Sequence, residues 1–432
     1  MQRYEKYKDS GIDWLGEVPE HWENRKLGNI LSPYSVKNRA DLPLLSITRE
    51  KGVIRRGEDT EEDNHNFIPD DLSGYKHLKV GQFGMNKMKA WQGSYGYSNF
   101  EGIVSPAYYI FDISSNLFGE YFSKTIRSKA YIPFFIKASD GVRIGQWDLS
   151  KQRMKEIPFF VPPLGEQKAI TKFLYDKCEK IDGAVILKEQ QIEKLKELRQ
   201  ITIHNSVTKG ISNFNGEVVT TKDSGIDWIG EIPEGWEVKR LKYTCLINQK
   251  SLSETTDKNQ ELNYVDIGSV SLTNGIEKTE SYLFGNSPSR ARRIASVNDT
   301  IISTVRTYLK AIDFIDEGKS KFIFSTGFAV LTPNGISPKY LSSVVRSNVF
   351  TDQVSFASKG MSYPAINSTD LGCLWMPIPP VSEQQAIITH LQEQTSKIDK
   401  AIGQRQEQIV KLKEYKQSLI NEAVTGKIKI IA

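Results

Sequence analysis

Residues 8–23 read KDSGIDWLGEVPEHWE, and residues 222–237 read KDSGIDWIGEIPEGWE. Three of these positions differ, two of them by exchange of one branched aliphatic residue for another, and the copies lie 222 − 8 = 214 positions apart. A second pair follows: PPLGEQKAI at 162–170 and PPVSEQQAI at 379–387, 379 − 162 = 217 positions apart. Two nearly equal offsets mean two whole units, each about half the chain, and such a repeat decides the fold before any local reading. Between the matched ends, residues 28–156 and 242–375 align only in fragments. Both carry an apolar, strand-like run after a serine, Ser105–Phe111 and Ser325–Leu331, and both then reach a glycine-containing segment, around Gly141 and Gly360. The frame repeats while its content diverges, as expected of one scaffold with two readouts.

After each Pro-Pro comes a long proline-free stretch rich in Glu, Gln, Lys, Leu and Ile. Prolines are tolerated at a helix entrance and stop what precedes them. Ser382 with Gln385 fits a capping box, and Gly210 and Gly426 lie where the helices could end. Each helix should run about 40 residues, about 60 Å. Ile170, Leu174, Ile181, Val185, Ile192 and Leu195 form a heptad-like seam, and Ile387, Leu391, Ile398, Ile402, Ile409 and Leu412 repeat it 217 positions on. Ile181, Val185, Ile192, Leu195, Ile398, Ile402, Ile409 and Leu412 are the expected pairing residues. Polar residues interrupt the seam at matching places, Lys188 with Arg405 and Arg199 with Lys416. They either set register or are simply solvated, and the solvated reading is preferred. Gly183 and Gly403 permit kinks. The cheapest partner for one stripe is the other, in an antiparallel coiled coil; parallel pairing with another protein's helices is the alternative. The fold class is therefore α+β: two globular α/β domains with twisted sheets, separated by two long antiparallel coiled-coil helices, with a pseudo-two-fold repeat. The boundaries are 1–163, the helix 164–210, 211–380, and the helix 381–432.

Composition narrows the function. The chain has 432 residues, 39% hydrophobic and 25% charged, with a formal charge of +5. That charge permits a polyanionic partner without requiring one. Cys178, Cys245 and Cys373 are too scattered for a disulfide framework or a zinc site, and the histidines show no ligand spacing, so no metal centre is expected. No window approaches the roughly 18 apolar residues of a membrane span, and the start is polar, so a cytoplasmic protein is expected.

The divergent parts hold clusters of basic, aromatic and amide side chains. Lysine and arginine neutralise phosphates, while glutamine, asparagine and arginine read base edges. On that chemistry the candidate DNA-contacting residues of the first part are Lys87, Lys89, Trp91, Gln92, Tyr95, Arg143 and Gln146, with Trp147 beside them. Those of the second are Arg292, Arg293, Arg306, Tyr308, Lys310, Lys359 and Tyr363. The bland alternative is that the aromatics are core and the lysines solvated. Trp14, Trp22, Trp228 and Trp236 belong to the repeated frame and are expected to be packing anchors, since a reader should differ between copies. There is no Gly-x-x-x-x-Gly-Lys-Ser/Thr phosphate loop, no Asn/Asp-Pro-Pro-Tyr/Phe motif of amino-methyltransferases, and no Ser/His/Asp or Cys/His spacing of note.

The Lys-Asp-Ser-Gly-Ile-Asp-Trp motif and the Pro-Pro-x-x-Glu-Gln-x-Ala-Ile helix start, in this order along the whole chain, resemble the specificity subunit of type I restriction–modification systems. The resemblance implies that the two divergent parts are target recognition domains, each reading half of a split site in double-stranded DNA. It implies that the paired helices set the spacer and dock two modification subunits, which methylate adenine N6, and that restriction subunits join to translocate and cleave. S-adenosylmethionine, ATP and Mg would belong to those partners, and this chain would carry no cofactor and no catalytic residue. The rival expectation is a coiled-coil scaffold that joins two proteins without touching DNA.

Overall fold

The computed structural model describes residues 2–57, 68–141, 147–211 and 220–430. The chain divides into two units, residues 1–188 with 407–432, and residues 189–406. Two long helices, Leu164–Thr208 and Val381–Val424, each give one half to each unit.

In the first unit a four-stranded antiparallel sheet runs in the order Leu31–Tyr34, Tyr108–Ile113, Phe83–Asn86, Tyr95–Tyr97. The apolar run after Ser105 is thus a central strand. The helices Gly119–Ile126 and Ile132–Lys137 cover one face through Phe83, Phe111, Phe122 and Phe135. Ile170, Leu174 and Ile181 of the first long helix share this core with Leu419 and Ala423 of the second. Lys416 meets Asp182 across the helix pair at 2.6 Å.

The second unit repeats that sheet with Cys245–Ile247, Phe328–Pro333, Thr300–Ser303 and Ile312–Phe314. It adds another four-stranded sheet, in which Glu261–Val265 and Ile323–Ser325 pair in parallel. The corresponding stretch of the first unit holds two small antiparallel pairs, Leu45–Thr48 with Gly52–Arg55 and Lys76–Leu78 with Gly102–Val104. Here too the helix halves pair: Arg405 donates to Gln191 at 2.9 Å, and Arg199 lies 3.3 Å from Asp399. Partner numbers fall as helix numbers rise, so the halves run antiparallel.

Two expectations change. The interrupting residues Arg199, Arg405 and Lys416 are not simply solvated but bridge to the opposite helix, because each stem reaches a carboxylate or amide there. Ser382 does not cap: the second long helix begins at Val381, and the Pro380 carbonyl accepts from the Glu383 and Gln384 amides. The two long helices run without a break through Gly183 and Gly403. Of the seam, Ile181, Val185, Ile192, Ile398 and Ile402 are buried, while Leu195, Ile409 and Leu412 are half-buried. Among the described residues no helix is long and apolar enough to cross a membrane, and no cluster of metal-ligating side chains occurs.

Candidate nucleic-acid interface

The repeated motifs hold each unit in shape. Glu166 accepts from Trp22 Nε1 at 3.0 Å, and Glu383 accepts from Trp236 Nε1 at 2.8 Å. Gln167 accepts from the Phe118 amide and donates to the Pro162 carbonyl; Gln384 does the same with Ser337 and Pro379. Each glutamine thereby satisfies a free donor just ahead of a short helix. Each long helix ends on a left-handed glycine, Gly210 or Gly426, seated on Trp236 or Trp22. Trp22 and Trp236 are anchors as expected, but Trp14 and Trp228 stay 39% and 44% exposed, Trp14 edge-on to Phe134 and Trp228 tilted against Phe356.

On this frame stands one β-hairpin per unit. The strands Phe83–Asn86 and Tyr95–Tyr97 flank a 3-10 turn, Ala90–Gln92; Thr300–Ser303 and Ile312–Phe314 flank Thr307–Leu309. All three segments correspond at a constant offset of 300 − 83 = 217. Lys89 therefore corresponds to Arg306, Trp91 to Tyr308 and Gly93 to Lys310. The tips carry the candidate residues that separate stretches of sequence had suggested.

At the first tip Lys89 is exposed and Trp91 and Gln92 are half-buried. Lys87 binds Asp148 at 2.8 Å, and that carboxylate holds its ammonium above the ordinary lysine value. The Trp91 ring lies 5.1 Å from Trp147, so Trp147 packs on the hairpin. Arg143 and Gln146 lie outside the described residues. Tyr95 is withdrawn from the candidate surface. Strand alternation turns it inward, where it is wholly buried, 4.3 Å from the Phe135 ring.

At the second tip Tyr308 is 56% exposed and Tyr363 is 62% exposed. Arg306 lies over the Tyr363 ring at 5.1 Å. Lys310 reaches Asp352 at 3.3 Å. Lys359 and Ala365 exchange backbone hydrogen bonds, and the Pro364 carbonyl accepts from Thr307, so Lys359 and Tyr363 join the hairpin tip. Arg306 and Lys310 adopt φ of 52° and 46°, a left-handed conformation costly for residues with a β-carbon. Arg292 and Arg293 are not part of this cluster. They lie on Ala291–Ile294 of the second sheet, Arg292 over Phe284 at 4.7 Å and Arg293 half-buried, with burial pushing its guanidinium down.

Comparison with known proteins bears on the whole chain. Residues 233–411 match the family model described as type I restriction modification DNA specificity domain. A Methanocaldococcus jannaschii protein assigned as the MjaX type I restriction enzyme specificity subunit is 23% identical over 96% of both chains. The Escherichia coli EcoBI specificity subunit is 22% identical, over 65% of this chain and 60% of its own. A chain solved in work on assembly and conformational transition of the type I R-M system superposes with a TM-score of 0.68 at 16% identity, covering 95% of this chain and 99% of its own. The HsdS subunit of Thermoanaerobacter tengcongensis gives 0.52 at 16% identity, covering 95% and 98%. Residues 233–411 thus match the type I specificity domain, and the chain along nearly its whole length is similar to a type I restriction enzyme specificity subunit.

Proposed function

We propose that this chain reads a bipartite target in double-stranded DNA, one half-site per unit, and carries no catalysis of its own. The observation that supports this is the pair of matched hairpins, each presenting a cation and an aromatic, Lys89 with Trp91 and Arg306 with Tyr308, on otherwise different surfaces. A two-stranded ribbon fits the major groove, where arginine and lysine pair with guanine and amides with adenine. Asymmetric tips suit two different half-sites. Lys87, Gln92, Lys310, Lys359 and Tyr363 extend the reading surface. Arg292 and Arg293 would serve as backbone contacts at its margin.

Two modification subunits dock on the long helices, whose outer faces leave Ile186 and Leu187 in one unit and Leu198 and Ile201 in the other about half exposed. Those subunits bring S-adenosylmethionine, and restriction subunits bring ATP and Mg. Adenine N6 must be swung out of the duplex to be methylated, so a subunit gripping both flanks supplies the positioning. The complex acts on DNA in the cytoplasm.

Methylome mapping in a strain expressing the chain with its modification partner tests this. The methylated site is expected to be split. Lys89→Ala with Trp91→Ala should relax one half only, and Arg306→Ala with Tyr308→Ala the other only, at about 1–3 kcal/mol per lost base contact. An unsplit site, or loss of both halves from either variant, would sink the proposal.

A further inference from the structure

The second unit contains a basic cavity unconnected with the hairpin tips. Its volume is about 220 Å³, and Arg199, Arg346, Lys339, Ser342, Phe314 and Leu391 are among its lining residues. The Nε atoms of Arg199 and Arg346 are both shut from solvent without a hydrogen-bond partner. Arg199 Nε lies 3.3 Å from Asp399 Oδ1 but is not aligned to donate to it. Arg346 donates through Nη2 to the Ile312 carbonyl and to Asp313, both at 3.2 Å, and Asp313 is also held by Lys319 at 3.0 Å and by the Ile276 and Phe314 amides, so the Nε of Arg346 is the donor left unmatched. The Lys339 ammonium has no ion-pair partner among the described residues. Burial pushes the Arg346 guanidinium down and the charge of Arg199 adds to this, partly offset by Asp313 and Asp399. Leaving buried guanidinium donors unmatched is costly, and an anion in the cavity would remove that cost.

The first unit supplies the contrast. Tyr121 and Tyr340 play one role, donating to the Phe160 and Pro377 carbonyls, which aligns Gly119–Ile126 with Pro338–Val345. Lys339 then corresponds to Glu120 and Arg346 to Arg127. Arg127 is occupied by the Tyr95, Arg49 and Glu50 carbonyls, at 2.6, 3.0 and 2.7 Å. Arg346 makes the corresponding contact to the Ile312 carbonyl, but its Nε stays unmatched where no atom of Arg127 does.

We propose that this cavity binds a phosphate group, held by Arg199, Arg346 and Lys339 with the Ser342 hydroxyl. Guanidinium forks match phosphate oxygens in geometry and charge. Phe314 and Leu391 give the phosphate an apolar flank, suited to the organic part of a phosphoester. Two sources share this chemistry: a free phosphate monoester and a phosphate of the DNA backbone.

The test is calorimetric titration of the full chain with inorganic phosphate and with ribose 5-phosphate, at ionic strength balanced by chloride. One saturable site is expected. Lys339→Glu, which installs the first unit's residue at an exposed position, and Arg199→Gln should each weaken it by about tenfold or more, with thermal unfolding confirming an intact fold. Glu120→Lys should leave it unchanged. Duplex binding of Lys339→Glu across a salt series then separates the sources. A log–log slope reduced by about one assigns a backbone phosphate; an unaltered slope with phosphate binding lost assigns a free phosphoester. Absence of saturable binding, or an unweakened Lys339→Glu, overturns the proposal. Neither result depends on the hairpin tips reading DNA.

Discussion

Gly426 ends the second long helix at φ +72°, and a β-carbon there would stand 2.3 Å from Pro19 Cδ. Both the backbone and the space therefore demand glycine. Gly426→Ala should cost the chain more than about 1 kcal/mol, measured as the loss in unfolding free energy by denaturant titration. Gly183 is the opposite case: it lies within a helix, and a β-carbon there meets nothing within 4 Å. Gly183→Ala should stabilise by up to about 1 kcal/mol, and destabilisation in the same titration would show an unseen constraint. Glu383 gives a pH prediction. Burial raises its carboxyl above the ordinary value, partly offset by the hydrogen bond from Trp236. A carboxyl raised in the fold contributes stability that is full below its unfolded pKa and is lost as pH rises through the folded one. Glu383→Gln keeps an acceptor for Trp236 and removes the titration. Its melting temperature should therefore fall less than wild type's as pH rises across that window, and parallel pH profiles would refute the assignment.

The long helices show what periodicity makes visible and what it hides. Their existence, their glycine ends and most of the seam could be read directly, because a heptad pattern reports the face that must be buried. The fate of Arg199, Arg405 and Lys416 could not, since a polar residue on a seam looks the same whether it faces water or a carboxylate on another element. The Asp182–Lys416 and Arg199–Asp399 pairs sit at corresponding places in the two units. Both carboxylates are about half exposed, so each pair should contribute only about 0.2–1 kcal/mol. Their value lies in excluding other registers. Asp182→Lys alone should destabilise, Lys416→Asp alone likewise, and the double reversal should recover most of the loss in a double-mutant cycle read by thermal unfolding. Additive losses would show that the pair does not couple. The hairpins carry the same lesson. Phe83–Tyr97 and Thr300–Phe314 share no identical residue at their 217 offset, yet fold alike, because a ladder constrains which positions face inward more than which side chains fill them. Tyr95 is the case in point: adjacent to basic and glycine residues it resembles a reader, and only the strand phase shows that it belongs to the core.

At the scale of the molecule, the division between repeated frame and divergent insert becomes a division of labour that can be tested by exchange. In each unit the frame contacts are the same: a Trp–Glu hydrogen bond, a glutamine holding the next helix start, and a left-handed glycine on the tryptophan. None of them involves a hairpin tip. Residues 28–156 can therefore be replaced by the corresponding stretch of a type I specificity subunit while Trp22, Glu166 and Gly426 keep their partners. The replacement has to preserve the apolar inner face that meets Ile170 and Leu174 of the long helix, because those side chains are wholly buried in the same core as Phe122 and Phe159. With that face kept, the exchanged chain should fold, support methylation with its partner, and change one half of the methylated site while the other half and the spacing stay as before. The second unit's hairpin, with its strained Arg306 and Lys310, is untouched by the exchange and should continue to specify its own half. Methylome mapping reads both halves in one measurement. A change in both halves, or a change in spacing with the helices intact, would mean that frame and insert share the reading, and that the two tips do not act as separate readers.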